Sequence, residues 1–162
     1  MAGSCPECTS DMVTINPIHE RKDMSEITIR WIDDKMMAGT DSNGHSIIIG
    51  RSPDPKFKWV GIKPSELLLM AAGACSGYDV VEILSKQREP FTDIKIICTG
   101  SQVSDPPYQF TDIHLHYIVH GNINKTKLER AIQLSEEKYC SVIATLKPTV
   151  KISSDYEIIN LE

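Results

Sequence analysis

The sequence predicts an α+β protein whose sheet is mainly antiparallel. The predicted strands come in hairpins rather than in strict alternation with helices, which is typical of this class. The predicted order of elements is β-β-β-α-β-β-α-β. The first predicted helix is too apolar on all sides for a surface position, so we expect it to be buried under a sheet or at a subunit interface.

Length, composition and charge indicate one globular domain. The chain has 162 residues, of which 41% are hydrophobic and 24% charged, and its net charge is −5. This charge argues against nucleic acid or an anionic membrane as a partner, because both attract basic surfaces. The sequence shows no secretory signal pattern, and we expect no membrane-spanning segment. An odd count of five cysteines fits a reducing compartment, so a cytoplasmic location is expected.

The N-terminal part of the chain divides into a tail and a hairpin region. Residues 1–24 lack periodicity and are predicted to form a flexible extension ahead of a domain over residues 25–162. Asn43-Gly44 is a strong hairpin signal between two of the strands that follow. The predicted strands of this region are Glu26–Ile32, Lys35–Gly39 and Ile47–Ile49.

The first helix is predicted to run from Ser65 to about Gln87. Ser65 is expected to cap it, and Glu66 in the first turn suits the positive end of the helix dipole. Pro90 ends the pattern. A second helix is expected after Asn124, over KTKLERAIQLSEEKYCSVIATL, with Pro148 behind it.

The remaining strands are predicted over Asp93–Val103, in YQFTDIHLHYIVHG and in TVKISSDYEII. The middle one alternates clearly, with Ile113, Leu115, Tyr117 and Val119 on one face. Its other face carries His114, His116 and His120. Imidazoles two residues apart on a strand could bind a metal, but the polar face of a solvated sheet explains them equally well.

Two thiols, Cys75 and Cys140, fall in the two predicted helices. A buried cysteine in an apolar helix is usually a packing residue. If the two helices pack together, however, the thiols could approach disulfide distance. One thiolate would then cleave a peroxide, and the second thiol would resolve the sulfenic acid. Both interpretations stay open from the pattern alone.

Other polar groups suggest weaker hypotheses. Cys5 and Cys8, in CPEC, have half the spacing of a structural zinc site, but a pair in a tail could also form a local disulfide. Cys98 and His19 could complete such a site. The basic residues of the Pro-rich loop are either solvated charges or a source of one cation that folds over the Cys75 thiol. They are Arg51, Lys56 and Lys58.

Two segments carry a resemblance to a known family. KPSELLLMAAGACSGYDVVEIL and LERAIQLSEEKYCSVIATLKPTVKISSDYEI resemble the OsmC/Ohr family, the osmotically inducible and organic hydroperoxide resistance proteins, and especially its OsmC-like branch. The similarity covers Ile27 to Ile159. Its anchors are a Pro-x-Glu-Leu helix start with Cys75 nine residues after Glu66, and Cys140 at the end of the second helix.

The resemblance implies an intertwined homodimer with two long central helices and sheets wrapped outside them. It also implies organic hydroperoxides as substrates, Cys75 as the attacking thiol and Cys140 as the resolving thiol. No cofactor is implied, because an external dithiol or a lipoylated protein restores the reduced enzyme.

The sequence departs from the family pattern at two points. The glutamate that holds the family's catalytic arginine aligns with Ser65, and Glu66 lies one position, or about 100°, further around the helix. The arginine itself has no firm counterpart, since the early-strand position falls near Asp34 or Lys35 and the loop position near Arg51 or Lys56.

The sequence therefore predicts a thiol-dependent peroxidase with Cys75 and Cys140 as its reactive pair, Arg51 as the activating cation and Glu66 as the residue that orients it. The alternative is a non-enzymatic dimer of the same fold that binds an apolar ligand or senses oxidants through its thiols.

Overall fold

The computed structural model describes residues 25–51, 54, 56 and 59–160. The N-terminal extension, with Cys5, Cys8 and His19, lies outside the described residues, as does Lys58 of the Pro-rich loop. The predictions made for these residues therefore stay predictions.

The element order follows the predicted α+β pattern. The strands are β1 (Thr28–Asp33), β2 (Met36–Thr40), β3 (Ser46–Gly50), β4 (Phe91–Gln102), β5 (Phe110–Gly121) and β6 (Lys151–Ile159). The helices are α1 (Pro64–Lys86), α2 (Lys125–Leu134) and α3 (Ser141–Leu146), with a π-helical turn at Ser135–Tyr139 between the last two.

Two three-stranded sheets form, in the orders β1-β2-β3 and β4-β5-β6. Among the described strands, the ladders are antiparallel except that of β5 with β6, which is parallel, and an isolated parallel bridge joins Ile49 to Ile62. The mainly antiparallel architecture is thus confirmed. The parallel pairing arises because α2 and α3 carry the chain back along the sheet before β6 begins.

The predicted hairpin between β2 and β3 is present. Gly44 has φ +90°, a conformation that glycine adopts without steric cost. The Asp41 carboxylate accepts hydrogen bonds from the backbone N–H of Asn43 and of His45, at 2.9 and 2.8 Å. The side chain of Asp41 therefore closes the turn that the Asn-Gly signal predicts.

The start of α1 differs from the prediction. Lys63, not Ser65, occupies the N-cap position, and it makes no side-chain capping bond. Pro64 is the first helical residue, where its fixed φ suits the helix and its missing N–H costs nothing. Glu66 lies in the first turn, as predicted.

The second predicted helix is not continuous. Asn124 caps α2 as expected, its side chain accepting from the N–H of Lys127 at 3.2 Å. The chain then widens into the π-helical turn and leaves helical geometry at Cys140, where φ is −71° and ψ is 103°. A new helix, α3, starts directly after this joint.

The main core lies between β4-β5-β6 and the helices. The predicted inward face of β5 is fully buried, and it packs with Val80 and Leu84 of α1 and Leu128 of α2. On the opposite face, His114 and His116 contact Asp155 of β6. Within the described residues, these histidines are not part of a group of three or more converging metal-ligand atoms.

Helix α1 is buried along one face only. Its 23 residues are long and apolar enough, by length and composition, to cross a bilayer, which differs from the expectation that no segment would be. A core helix of a folded domain passes the same test, and α1 packs one face against β4 and α2. Other parts of its surface are open in the single chain, with Tyr78 75% and Met70 52% exposed.

Candidate active site

The site is built on the middle of α1, where Cys75 and Asp79 lie four residues apart. This spacing places the two side chains on the same helical face, one turn apart. Other small residues of this part of α1, Gly73, Ser76 and Gly77, are buried, and Gly73 and Gly77 face β4. A Cβ on Gly73 would come within 2.6 Å of the Cys98 sulfur, so glycine here allows α1 to approach β4 closely.

Cys140 reaches the site because the second helix breaks there. Its N–H donates to the carbonyl of Ser135 at 2.9 Å, which closes the wide π-helical turn. Its sulfur accepts from the N–H of Ile143 at 3.4 Å and so serves as the cap of α3. π-helical turns often occur at functional sites, and this one fixes a buried thiol at a joint between two helices.

The structure brings three reactive groups together. The sulfur of Cys75, the sulfur of Cys140 and a carboxylate oxygen of Asp79 all lie within 4.8 Å of one another. The hydroxyl of Ser141 lies 4.0 Å from the Cys75 sulfur. Cys140 is 2% exposed, whereas Cys75 and Asp79 are half-buried. Both sulfurs are free thiols in this structure.

A buried chain of hydroxyl groups holds the Asp79 carboxylate. The hydroxyl of Ser135 donates to Asp79 Oδ2 at 2.9 Å and lies 2.8 Å from the Ser76 hydroxyl. Ser76 in turn lies 2.6 Å from the hydroxyl of Tyr117 on β5. Burial raises the pKa of Tyr117, so it remains a neutral member of the chain. The orientation of Asp79 is thereby fixed from the core of the protein.

The electrostatics of Cys140 disfavour its anion. Burial, and then the neighbouring Cys75 thiol, raise the pKa of Cys140 to about 12. Cys140 is therefore protonated at neutral pH and is not an attacking thiolate by itself.

The two other predicted site residues have different partners within the chain. Glu66 forms an ion pair with Lys63 at 3.0 Å, and the Arg51 guanidinium lies 4.7 Å from the centre of the Trp59 ring. In the described part of the chain, the sulfur of Cys75 has no hydrogen bond from a cationic side chain. The roles of Arg51 and Glu66 therefore stay predictions.

An apolar cavity lies on another side of α1. It has a volume of about 500 Å³ and is lined by Glu66, Leu69, Met70, Gly73, Ala74, Ile96 and Cys98. Burial raises the pKa of the Cys98 thiol.

Asp79 and the chain of hydroxyl groups behind it were not predicted from the sequence. The signal was present for Asp79, since a carboxylate inside an apolar helix, one turn from a cysteine, is the kind of polar residue that requires a partner. No comparable signal marked Ser76, Ser135 or Tyr117, whose contacts join residues 41 to 59 positions apart.

The fold and the paired thiols define the class of protein. A family model described as OsmC-like protein matches residues 54–155, a span that includes both cysteines. The chain belongs to this OsmC-like family.

Individual relatives agree with this assignment. Protein YhfA of Escherichia coli K12 is 36% identical over 132 residues, which cover 81% of this chain and 96% of that protein. A hypothetical protein from Aquifex aeolicus VF5 shares the fold with a TM-score of 0.77 at 33% identity, over 86% of this chain and 99% of that one. An organic hydroperoxide resistance protein OsmC from Legionella pneumophila has a TM-score of 0.64 at 13% identity, over 85% and 99% of the two chains, and this likeness concerns the fold alone.

Proposed function

We propose that the protein is a thiol-dependent peroxidase that reduces organic hydroperoxides. The observation that carries the proposal is the proximity of the Cys75 and Cys140 sulfurs, which come from positions 65 residues apart and lie within 4.8 Å of each other. Membership of a family whose structural neighbours include a hydroperoxide resistance protein supports it.

The proposed reaction balances with a hydroperoxide as oxidant and an external dithiol as reductant. The Cys75 thiolate attacks the terminal peroxide oxygen, the O–O bond breaks, and the alcohol leaves with a proton while Cys75 becomes a sulfenic acid. The Cys140 sulfur then attacks the Cys75 sulfur, and water leaves as the disulfide forms. A dithiol, such as that of a lipoylated protein, reduces this disulfide by exchange.

Cys75 is assigned the attacking role because Cys140 is the more deeply buried thiol. Cys75 is half-buried and so more accessible to a substrate than Cys140, whose raised pKa keeps it protonated. The sulfurs must close by less than about 3 Å to reach the 2.05 Å of a disulfide bond. The non-helical joint at Cys140 is the place where the backbone can provide that movement.

An alkyl hydroperoxide suits the site better than hydrogen peroxide. Leu69, Met70 and Ala74, on the same helix as Cys75, line an apolar cavity. Apolar surface of this kind favours a substrate that carries hydrocarbon.

Arg51 is proposed as the cation that stabilises the Cys75 thiolate, with Glu66 orienting it. Cys75 lies in the middle of α1, too far from its first turn for the helix dipole to provide this stabilisation. Arg51→Gln should then slow peroxide reduction, whereas Arg130→Gln at an exposed position of α2 should leave the rate unchanged. Equal rates for these two variants and the parent would remove Arg51 from the mechanism.

A homodimer is proposed as the functional unit. All six residues of β1 are exposed in the single chain, including Trp31 at 64%, and α1 exposes Tyr78 and Met70. A second copy that covers these surfaces would complete the burial that the apolar helix requires. Sedimentation equilibrium should give twice the chain mass; a monomer at micromolar concentration would contradict the proposal.

The test of the activity is kinetic. Reduced protein is mixed with cumene hydroperoxide or with hydrogen peroxide, and peroxide loss is followed with Cys75→Ser and Cys98→Ser as matched controls. We expect faster loss of the organic peroxide, no turnover with Cys75→Ser and continued multiple turnover with Cys98→Ser, because Cys75 and not Cys98 is proposed to attack the peroxide. If the parent consumes peroxide no faster than Cys75→Ser, the protein is not a peroxidase.

The second candidate function is a non-enzymatic cytoplasmic dimer that binds an apolar ligand or senses oxidants slowly. The ion pair of Glu66 with Lys63 favours it, because that pairing occupies the carboxylate expected to orient Arg51. The rate at which iodoacetamide alkylates Cys75 at pH 7 separates the two functions. A rate no higher than that of an unstructured cysteine peptide supports the non-enzymatic function.

A further inference from the structure

The same thiols and the carboxylate beside them have a second chemical use. Two sulfurs and one carboxylate oxygen that converge within 4.8 Å offer three ligands to a single ion. Zn²⁺ binds thiolate at about 2.3 Å and carboxylate at about 2.1 Å in tetrahedral geometry, which places ligand atoms about 3.5–3.8 Å apart. The three atoms therefore need to move inward by about 1 Å at most.

We propose that Cys75, Asp79 and Cys140 form a binding site for one Zn²⁺ ion. Two thiolates select a borderline-soft cation over Mg²⁺ or Ca²⁺, which prefer oxygen ligands only. The fourth position is left for water or for the hydroxyl of Ser141, 4.0 Å from the Cys75 sulfur.

The surroundings of Asp79 resemble the outer shell of a metal site. A ligating carboxylate is normally oriented by a further hydrogen bond, and Asp79 receives one from Ser135. Ser135 is itself buried and tied to Ser76 and Tyr117. A carboxylate has about four acceptor positions, so this single hydrogen bond leaves capacity for a metal.

An entry path for the ion reaches the site beside Asp79. A cavity of about 400 Å³ is lined by Asp79, Glu82, Ile83, Lys86, Gln87, Leu134 and Tyr139. Glu82 and Asp79 add negative charge to this cavity, partly balanced by Lys86, which pairs with Glu82. An ion arriving through it meets the carboxylate before the buried sulfur of Cys140.

Binding follows a defined proton balance. Each thiol loses one proton when it ligates zinc, so the two thiols release two protons per ion. Three negative ligands then face two positive charges. Because both thiols must be deprotonated to bind the ion, affinity should rise with pH.

The zinc site does not depend on the proposed peroxidase activity. Both use Cys75 and Cys140, but sulfurs that ligate zinc cannot at the same time form a disulfide. Metal binding is measured on the reduced protein without peroxide. The protein could therefore reduce peroxide without binding zinc, or bind zinc without reducing peroxide.

The experiment uses the full chain with Cys5→Ser and Cys8→Ser, so that the tail does not contribute ligands. The reduced protein is titrated with Zn²⁺ against a chromogenic chelator, and Co²⁺ is used separately to record thiolate-to-metal absorption. We expect one Zn²⁺ per chain, about two protons released per ion, and a thiolate band with Co²⁺.

Substitutions then identify the ligands. Asp79→Asn keeps the side-chain shape and the bond from Ser135, and it should weaken zinc binding by about tenfold or more. Cys140→Ser should remove most of the Co²⁺ thiolate absorption, whereas Cys98→Ser should change neither signal. Circular dichroism on each variant verifies that it is folded.

Three results would overturn the proposal. The first is the absence of stoichiometric zinc binding in the parent protein that lacks Cys5 and Cys8. The second is an affinity unchanged by Asp79→Asn, which would mean an adventitious thiol site. The third is loss of binding with Cys98→Ser, which would place the metal elsewhere.

Discussion

Cys75 lies on α1 and Cys98 lies on β4, which packs against the same helix, but the environments of the two thiols differ. Cys75 lies within 4.8 Å of a second sulfur and a carboxylate, beside a buried chain of hydroxyl groups. Cys98 lies on β4 against Gly73 and lines an apolar cavity, where burial raises its pKa. Both thiols are half-buried, so exposure alone does not distinguish them.

The difference lies in what surrounds each sulfur. A sulfenic acid at Cys75 would have a resolving thiol, Cys140, close to it. Cys98 instead packs against Gly73 and lines an apolar cavity. Between Cys75 and Cys98, whose burial is similar, the proposed reactivity of Cys75 therefore rests on the groups around its sulfur. Four predictions test this contrast.

The largest effect is expected on repeated turnover. Cys140→Ser leaves the Cys75 sulfenic acid without a partner, so we expect one equivalent of peroxide consumed per chain, followed by overoxidation of Cys75. Cys98→Ser should retain multiple turnovers with a dithiol present. Peroxide consumption measures the number of turnovers of each variant, and intact mass spectrometry measures the overoxidation of Cys75. Sustained turnover by Cys140→Ser would show that Cys140 does not resolve Cys75.

The next effect is on stability, through the hydroxyl chain behind the site. Ser135→Ala removes the donor to Asp79 and a partner of Ser76, and it should lower the free energy of unfolding by about 1–3 kcal/mol. Urea denaturation measures this change. Ser104→Ala at an exposed position should stay within about 0.5 kcal/mol of the parent. Equal effects of the two substitutions would show that the buried chain contributes no stability.

A smaller effect concerns the packing of Cys98. Gly73→Ala places a methyl group 2.6 Å from the Cys98 sulfur, and overpacking of this kind costs about 1–3 kcal/mol. In a Cys98→Ala background the clash is absent, and the same substitution should instead stabilise α1 by up to about 1 kcal/mol through helix propensity. The double-mutant cycle is measured by urea denaturation. A cost for Gly73→Ala that persists in the Cys98→Ala background would contradict the contact.

The smallest effect is expected at alkaline pH. Because folding raises the pKa of Cys140, its neutral thiol contributes stability that is present below the ordinary thiol pKa of about 9 and lost as pH rises toward 12. The free energy of unfolding should therefore fall less steeply above pH 9 in Cys140→Ala than in the parent. Parallel profiles from pH 8 to pH 10.5 would mean that burial does not perturb this thiol.

Local signals in the sequence predicted much of the fold. The alternation in β5, the Asn43-Gly44 turn and the Asn124 cap all act over a few residues, and each is present in the structure. The N-cap of α1 was misplaced by two residues, from Lys63 to Ser65, because serine is a good cap by type, whereas Pro64 is already helical.

The features that complete the site depend on contacts between distant segments. The π-helical turn that delivers Cys140 interrupts a good amphipathic pattern, and it is tied to α1 by the Ser135 hydroxyl. The Asp79 carboxylate gains its significance only when Cys140 comes beside it. Residue spacing along the chain indicates neither the π-helical turn nor the proximity of Asp79 to Cys140, although it did identify both cysteines as candidates.

The most direct measurement is disulfide mapping after oxidation by one equivalent of cumene hydroperoxide. Peptide mass spectrometry should find Cys75 linked to Cys140 within one chain, with a loss of two hydrogen atoms and with Cys98 still a free thiol. A product in which Cys75 is a sulfinic acid, or is linked to any other cysteine, would contradict the proposed pairing.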